Sequence, residues 1–136
     1  MQQSIDYAKV CCNAGIDYLH PSHGIDGHDL DTIELNDIPP NFPYSSRIFA
    51  AWKIKEQVDI PVIATGQIKT ADGAETLLKS GYGDFVGIGC SYLADPQWGT
   101  HALNGQSVTK CYKCKLCFWF TDYTKCPAYR FLHENK

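Results

Sequence analysis

The sequence predicts an α/β fold with parallel strands, followed by a Cys-rich tail. Three observations lead there. Helical and strand-like patterns alternate through the acidic part of the chain. Two of the strand-like runs end in glycine. Charge also divides the chain: residues 1–108 hold 6 basic and 13 acidic side chains, a net of −7, whereas residues 109–136 hold 6 basic and 2 acidic, a net of +4. Alternating helices and strands imply parallel strands joined by right-handed crossovers.

Taken in order, residues 4–14 predict a helix. Ile5, Ala8 and Cys12 recur at helical spacing, and Gly15 is placed to end it. Ile16–His20 is short and apolar enough for a strand. From Pro21 to about Tyr44 runs a polar stretch rich in proline and acid, which reads as a functional or solvated loop. Ser45 or Ser46 is placed to cap a helix over 46–58, with Ile48, Ala51, Trp52 and Val58 on its buried face. Pro61–Gly66 predicts a buried strand. Thr70 caps the next helix, Ala74, Leu77 and Leu78 share its apolar side, and Gly81 stops it. Asp84–Gly89 predicts another strand, and a short helical piece begins near Asp95-Pro96.

Composition narrows the function. With 44% apolar and 20% charged residues, the 136-residue chain has the makeup of a globular domain rather than a disordered segment. A pI of about 5.9 argues against a general nucleic-acid binder, which needs a basic face. No apolar run approaches the roughly 20 residues of a membrane helix, and Met1–Asp6 does not read as a signal peptide, so the expected location is the cytoplasm. Seven Cys without a secretion signal argue against a disulfide framework.

Two patterns carry chemistry. The first is the pair of glycine-ended strands. In parallel α/β folds the carboxyl ends of strands carry the ligand site, and glycine there lets a phosphate approach the backbone. The same glycines are equally served by a need to turn the chain. The second is the tail, Cys111-x2-Cys114-x2-Cys117-x8-Cys126-Pro127. Four thiolates this close can surround one metal centre. A C-x2-C-x2-C run followed by Cys-Pro fits iron–sulfur ligation better than zinc, which favours two separated Cys pairs; free thiols are the third reading. Lys110, Lys113, Lys115 and Lys125 would offset a cluster's negative charge, and Phe118, Trp119, Phe120 and Tyr123 would shield it or pack the tail. His20, His23 and His28 with Asp26 and Asp29 resemble a metal nest, but such loops are commonly just polar and solvated. The acidic run from Asp26 to Asp37 reads as a solvated lid, and Cys11 and Cys12 as helix core.

Ile60–Ile68, Ala74-Glu75, Gly81, Gly83–Gly89 and Leu93-Ala94-Asp95-Pro96, preceded by Ala14–His20, resemble the old yellow enzyme family of FMN-dependent NAD(P)H:flavin oxidoreductases and ene-reductases. The resemblance covers roughly residues 5–105. It implies the C-terminal part of a TIM (β/α)8 barrel, about three βα units, because that fold needs about 250 residues. Residues 1–108 would be the partial FMN-binding barrel and 109–136 the Cys-rich tail. The FMN phosphate would lie at Gly66, Gln67, Gly89 and Cys90. At the last position the family usually carries Arg, and a thiol does not replace a guanidinium. His20 or Ser22 would lie near the flavin or the substrate mouth. The tail is similar to that of 2,4-dienoyl-CoA reductase and trimethylamine dehydrogenase. This implies a [4Fe–4S] cluster on Cys111, Cys114, Cys117 and Cys126, with the gap before Cys126 shorter than expected.

The resemblance therefore implies part of an oxidoreductase that uses NAD(P)H as co-substrate and reduces a small electrophile such as an activated alkene. The chain alone would be inactive. Three strands do not close a barrel, so self-association or pairing with the missing barrel part is expected. The alternative is a non-catalytic phosphate- or zinc-binding module acting with a partner chain.

Overall fold

The computed structural model describes residues 1–22, 38–119 and 121–134. The expectations for His23, His28, the acidic lid and Phe120 lie outside the described residues. The chain divides into two compact units, Met1–Gln67 with Glu75–Gly87, and Ile68–Ala74 with Ile88–Lys136.

The first unit is built on parallel strands. Strand β1, Ile63–Thr65, pairs in parallel with β2, Phe85–Gly87, in the register Ile63↔Phe85, Ala64↔Val86, Thr65↔Gly87. On the other side of β1, Leu19 forms an isolated parallel bridge to Val62, with Leu19 N–H on Pro61 O at 2.9 Å and Ile63 N–H on Leu19 O at 2.8 Å. The strand expected over 16–20 is thus reduced to a single bridge. Tyr18 is 59% exposed, so little apolar burial rewards extending the ladder. The strand expected over 84–89 is also shorter and more open, with Phe85 57% exposed.

One helix packs on this sheet, and a second packs on that helix. Helix α1, Gln2–Asn13, packs on α2, Ser46–Lys55, and α2 packs on β1. Ile48, Phe49, Ala51 and Ile54 of α2 are buried with Val62 and Ala64, which alternate along the β1 segment as one pleat face requires. Leu77 of helix α3, Ala71–Lys79, is fully buried as well. The helix ends follow their predicted chemistry. Gly15 adopts φ 86° after α1. Thr70 Oγ1 accepts the Gly73 N–H at 3.1 Å. Gly81, φ 74°, closes α3 with paired bonds from Gly81 N–H to Leu78 O and from Tyr82 N–H to Leu77 O. Ser45 departs from expectation. It occupies the N-cap position of α2, but its hydroxyl donates to Gly66 O at 3.3 Å instead of capping the helix.

An aromatic cluster unforeseen in the sequence anchors the chain before α2. Phe42 stacks on Trp52 with ring centroids 5.9 Å apart and meets Phe49 and Tyr82 edge-on. Tyr44 also meets Tyr82, and burial followed by the Tyr82 hydroxyl pushes the Tyr44 phenol up.

The second unit is organised by one carboxylate. Asp95 is fully buried between the short helices α4, Cys90–Ala94, and α5, Trp98–Leu103. Its Oδ1 accepts the Gln97 N–H at 3.0 Å. Its Oδ2 accepts the Thr109 N–H at 3.2 Å and lies 2.9 Å from His101 Nδ1. The single helical piece expected near Asp95-Pro96 is therefore two helices with this residue at the joint. Tyr123–Lys125 forms a 3₁₀ turn, and α6, Pro127–Glu134, follows it and packs on α4. Helix α6 has no counterpart among the expected elements. Trp119 and Tyr123 pack against Tyr129 of α6, as the packing role of the tail aromatics requires.

Burial pushes the Asp95 carboxyl up, and the bonds from His101, Thr109 and Gln97 outweigh it, leaving it below the usual carboxylate range. A carboxyl depressed in the folded state stabilises the fold fully above its unfolded pKa of about 3.9, and loses that contribution as pH falls through the folded value. We expect Asp95→Ala to cost about 3 kcal/mol, since it strands buried donors. Urea denaturation followed by circular dichroism checks this. The wild type should weaken below about pH 4, and the variant should lose less over the same interval.

Candidate functional site

The carboxyl ends of the parallel segments bring His20, Thr65 and Gly87 together. Thr65 and Gly87 are register partners on β1 and β2. His20 follows the Leu19 bridge, and its Nε2 shares a hydrogen bond of 2.6 Å with Thr65 Oγ1. A Cβ at Gly87 would fall 2.1 Å from Thr65 Oγ1 and 3.3 Å from His20 Nε2. Glycine is therefore what allows this polar pair to cross the strands. The sequence signal for His20 is its place after a strand. Thr65 has no such signal, because pairing between strands distant in sequence leaves no local signature.

Gly66 follows at once, with φ 153°, and Gln67 with φ 58°. A Cβ at Gly66 would meet Ser45 Oγ at 2.2 Å and Arg47 Cβ at 3.2 Å. Close approach of α2 thus explains this glycine without a ligand. Gly89, by contrast, has open space on the side where a Cβ would stand, with no neighbour within 4 Å, and it precedes α4. Gly66 and Gln67 belong to the first unit, Gly89 and Cys90 to the second.

Two further carboxylate contacts hold the first unit's strands in place. Asp84 accepts the Val62 N–H at 2.9 Å and pairs with Lys55. Burial pushes this carboxyl up, and Lys55 and the Val62 N–H bring it below its ordinary value.

In the second unit, Cys90 is exposed. Burial pushes the Cys90 thiol up, and the neighbouring Cys111 and Cys117 push it further. Such a group stays neutral at pH 7 and gives a phosphate no positive charge. Cys114 and Cys117 are exposed, and Cys111 and Cys126 are half-buried. Among the described residues, no three of His, Cys, Asp and Glu are grouped to hold a metal ion as they stand. The donor type of Cys111, Cys114 and Cys117 suits iron or zinc, but the four tail thiols do not converge. A cleft of about 350 Å³ lined by Thr70, Asp72, Gln106, Ser107 and Lys110 includes none of these residues.

These strands are those of a parallel α/β protein, and comparisons with known proteins narrow the class. The chain is 33% identical over 118 residues to the NADH oxidase of Thermoanaerobacter brockii, covering 85% of this chain and 18% of that protein. It is 33% identical over 119 residues to the bilirubin reductase of Mediterraneibacter gnavus, covering 84% and 18%. It is 33% identical over 113 residues to the metal reductase of Desulforamulus reducens, covering 79% and 16%. The structure of a variant of NCR from Zymomonas mobilis matches with a TM-score of 0.56 and 23% identity, over 90% of this chain and 36% of that one. No family model matches. These relatives support the resemblance to a C-terminal part of old yellow enzyme-like NADH:flavin oxidoreductases. The chain spans less than a fifth of the length of these curated relatives. No described helix is long and apolar enough to cross a membrane.

Gly87→Ala should drive a methyl group into Thr65 Oγ1 and break its bond to His20. We expect a loss of about 1–3 kcal/mol in unfolding free energy. Thr65→Ala in the Gly87→Ala background should recover part of it, because the clashing hydroxyl is gone. Denaturation midpoints of the two variants check this.

Proposed function

We propose that this chain forms the C-terminal portion, about three βα units, of an FMN-binding TIM barrel, with residues 109–136 as an iron–sulfur segment. The observation that carries the reading is the 33% identity, sustained over some four-fifths of the chain, to relatives named as NADH oxidase and bilirubin reductase. When bound, FMN would take hydride from NAD(P)H and deliver it to a small electrophile such as an activated alkene, while a [4Fe–4S] cluster would carry single electrons.

The residues of this chain then have separate tasks. By resemblance, the backbone N–H groups that would bind the flavin phosphate are those at Gly66, Gln67, Gly89 and Cys90. Without a cationic side chain at position 90, the phosphate depends on the backbone, so binding is weaker than a guanidinium would make it. The His20–Thr65 pair lines the rim at the strand ends and orients a polar group of flavin or substrate. By resemblance, Cys111, Cys114, Cys117 and Cys126 are the thiolates that would hold the cluster, once the tail brings them together. The tail lysines offset its charge.

Pairing with the remaining barrel, or self-association, completes the enzyme in the cytoplasm, and the chain alone is inactive. The exposed rings of Tyr18 and Phe85 beside the parallel pairing support a need for such cover. A non-catalytic phosphate- or zinc-binding module is less well supported, since these relatives are named as oxidoreductases.

Two measurements test the proposal. Protein purified without oxygen should show the broad brown absorption of an iron–sulfur cluster, with iron and sulfide in matching amounts. Colourless, iron-free protein overturns the cluster assignment. Titration with FMN and with riboflavin, which lacks the phosphate, should give about tenfold tighter binding of FMN, the worth of one charge-assisted hydrogen bond. Equal affinities overturn the phosphate site.

A further inference from the structure

Two histidines outside both the strand rim and the thiol series share one cavity. His101 lies on α5 and His133 near the end of α6. They are far apart in sequence, and no spacing pattern joins them. Pro96, Gln97, His101, Leu132 and His133 line a cavity of about 200 Å³, and all five belong to the second unit.

Each ring is anchored through its other nitrogen. His101 Nδ1 lies 2.9 Å from Oδ2 of the fully buried Asp95, whose carboxylate also accepts the Gln97 and Thr109 N–H groups. An ionised carboxylate only accepts, so Nδ1 of His101 carries the proton. His133 Nδ1 lies 2.8 Å from Tyr129 O. A carbonyl likewise only accepts, so this ring also carries its proton on Nδ1. Stacking on Tyr129, with centroids 3.9 Å apart, holds the His133 ring further. In both neutral rings the lone pair is therefore on Nε2, and neither Nε2 makes a hydrogen bond to a described residue. A carboxylate behind one imidazole and a backbone carbonyl behind the other is the support that orients metal-ligating histidines and raises their basicity.

We propose that His101 and His133 are paired Nε2 ligands for an exchangeable divalent ion of the zinc type. Imidazole suits zinc, nickel and copper, whereas magnesium and calcium prefer oxygen donors. Two imidazoles fill half of a tetrahedral set, and water fills the rest. That is fewer protein ligands than a structural zinc site uses, so the ion adds to a fold that stands without it. Binding exchanges two waters of the ion for two nitrogens. No electron moves and no proton has to leave, because each Nε2 is already bare. The site needs no cluster and no flavin, so it stands apart from the function proposed above.

Zinc titration of the full chain, isotope-labelled and kept reduced, tests this. The readout is long-range proton–nitrogen NMR of the imidazole rings at a mildly alkaline pH, where free imidazole is neutral. It reports ring by ring, so zinc taken up by the tail thiols is not counted. Before zinc, both rings should show a protonated Nδ1 and a bare Nε2. With zinc, the two Nε2 signals should move together on one saturating curve, while His20, whose Nε2 is engaged by Thr65, stays in place. His133→Ala removes an exposed side chain and should raise the zinc concentration needed to move His101 at least tenfold. A His101 response undiminished in that variant overturns the proposal. So do two rings that move at different zinc concentrations, and so does no movement of either ring; both of these outcomes are read in the wild type and depend on no variant's folding.

Discussion

Parallel strands have no tight turn to fix their alignment, so something else must hold them in register. In the first unit that task falls to Asp84. Its carboxylate accepts the Val62 N–H, its own N–H donates to Val62 O at 2.9 Å, and Lys55 neutralises it from the end of α2. One residue therefore ties the entry of β2 to the residue before β1 and to the covering helix. The register set at this end is carried along to Thr65 and Gly87, where the rim begins. A slip of one residue would turn Val62 and Ala64 out of the core and take Thr65 away from Gly87. The chemistry at the carboxyl ends is thus fixed by a salt bridge at the amino ends.

The second unit solves a similar problem with a carboxylate of another kind. Asp95 is fully buried, and its oxygens bind three donors from different stretches of chain. It ends α4, starts the turn into α5 and fixes the backbone at Thr109, just before the thiol run. Gly105, φ 66°, ends α5 with paired bonds to Ala102 O and His101 O, which keeps the intervening loop short and defined.

Local signals are legible in the sequence, and long-range ones are not. Gly15, Gly81 and Thr70 announce helix ends because capping chemistry is read from a few neighbouring residues. The burial of Ala8, Ile48, Ala51 and Leu77 follows from helical spacing for the same reason. Ile16–His20 reads as a strand because it is apolar, yet a strand also needs partners, and only Leu19 finds one among the described residues. The Phe42–Trp52–Tyr82 cluster joins three stretches whose proximity no local pattern encodes. Ser45 looks like a cap in sequence, but Gly66 O competes for its hydroxyl.

Cys126-Pro127 shows how one dipeptide supports two physical readings. As part of a cysteine series it looks like a ligand. As a residue with committed backbone groups, followed by proline, it is the start of a helix. Spacing rules count cysteines along the chain, whereas a metal counts sulfurs within reach.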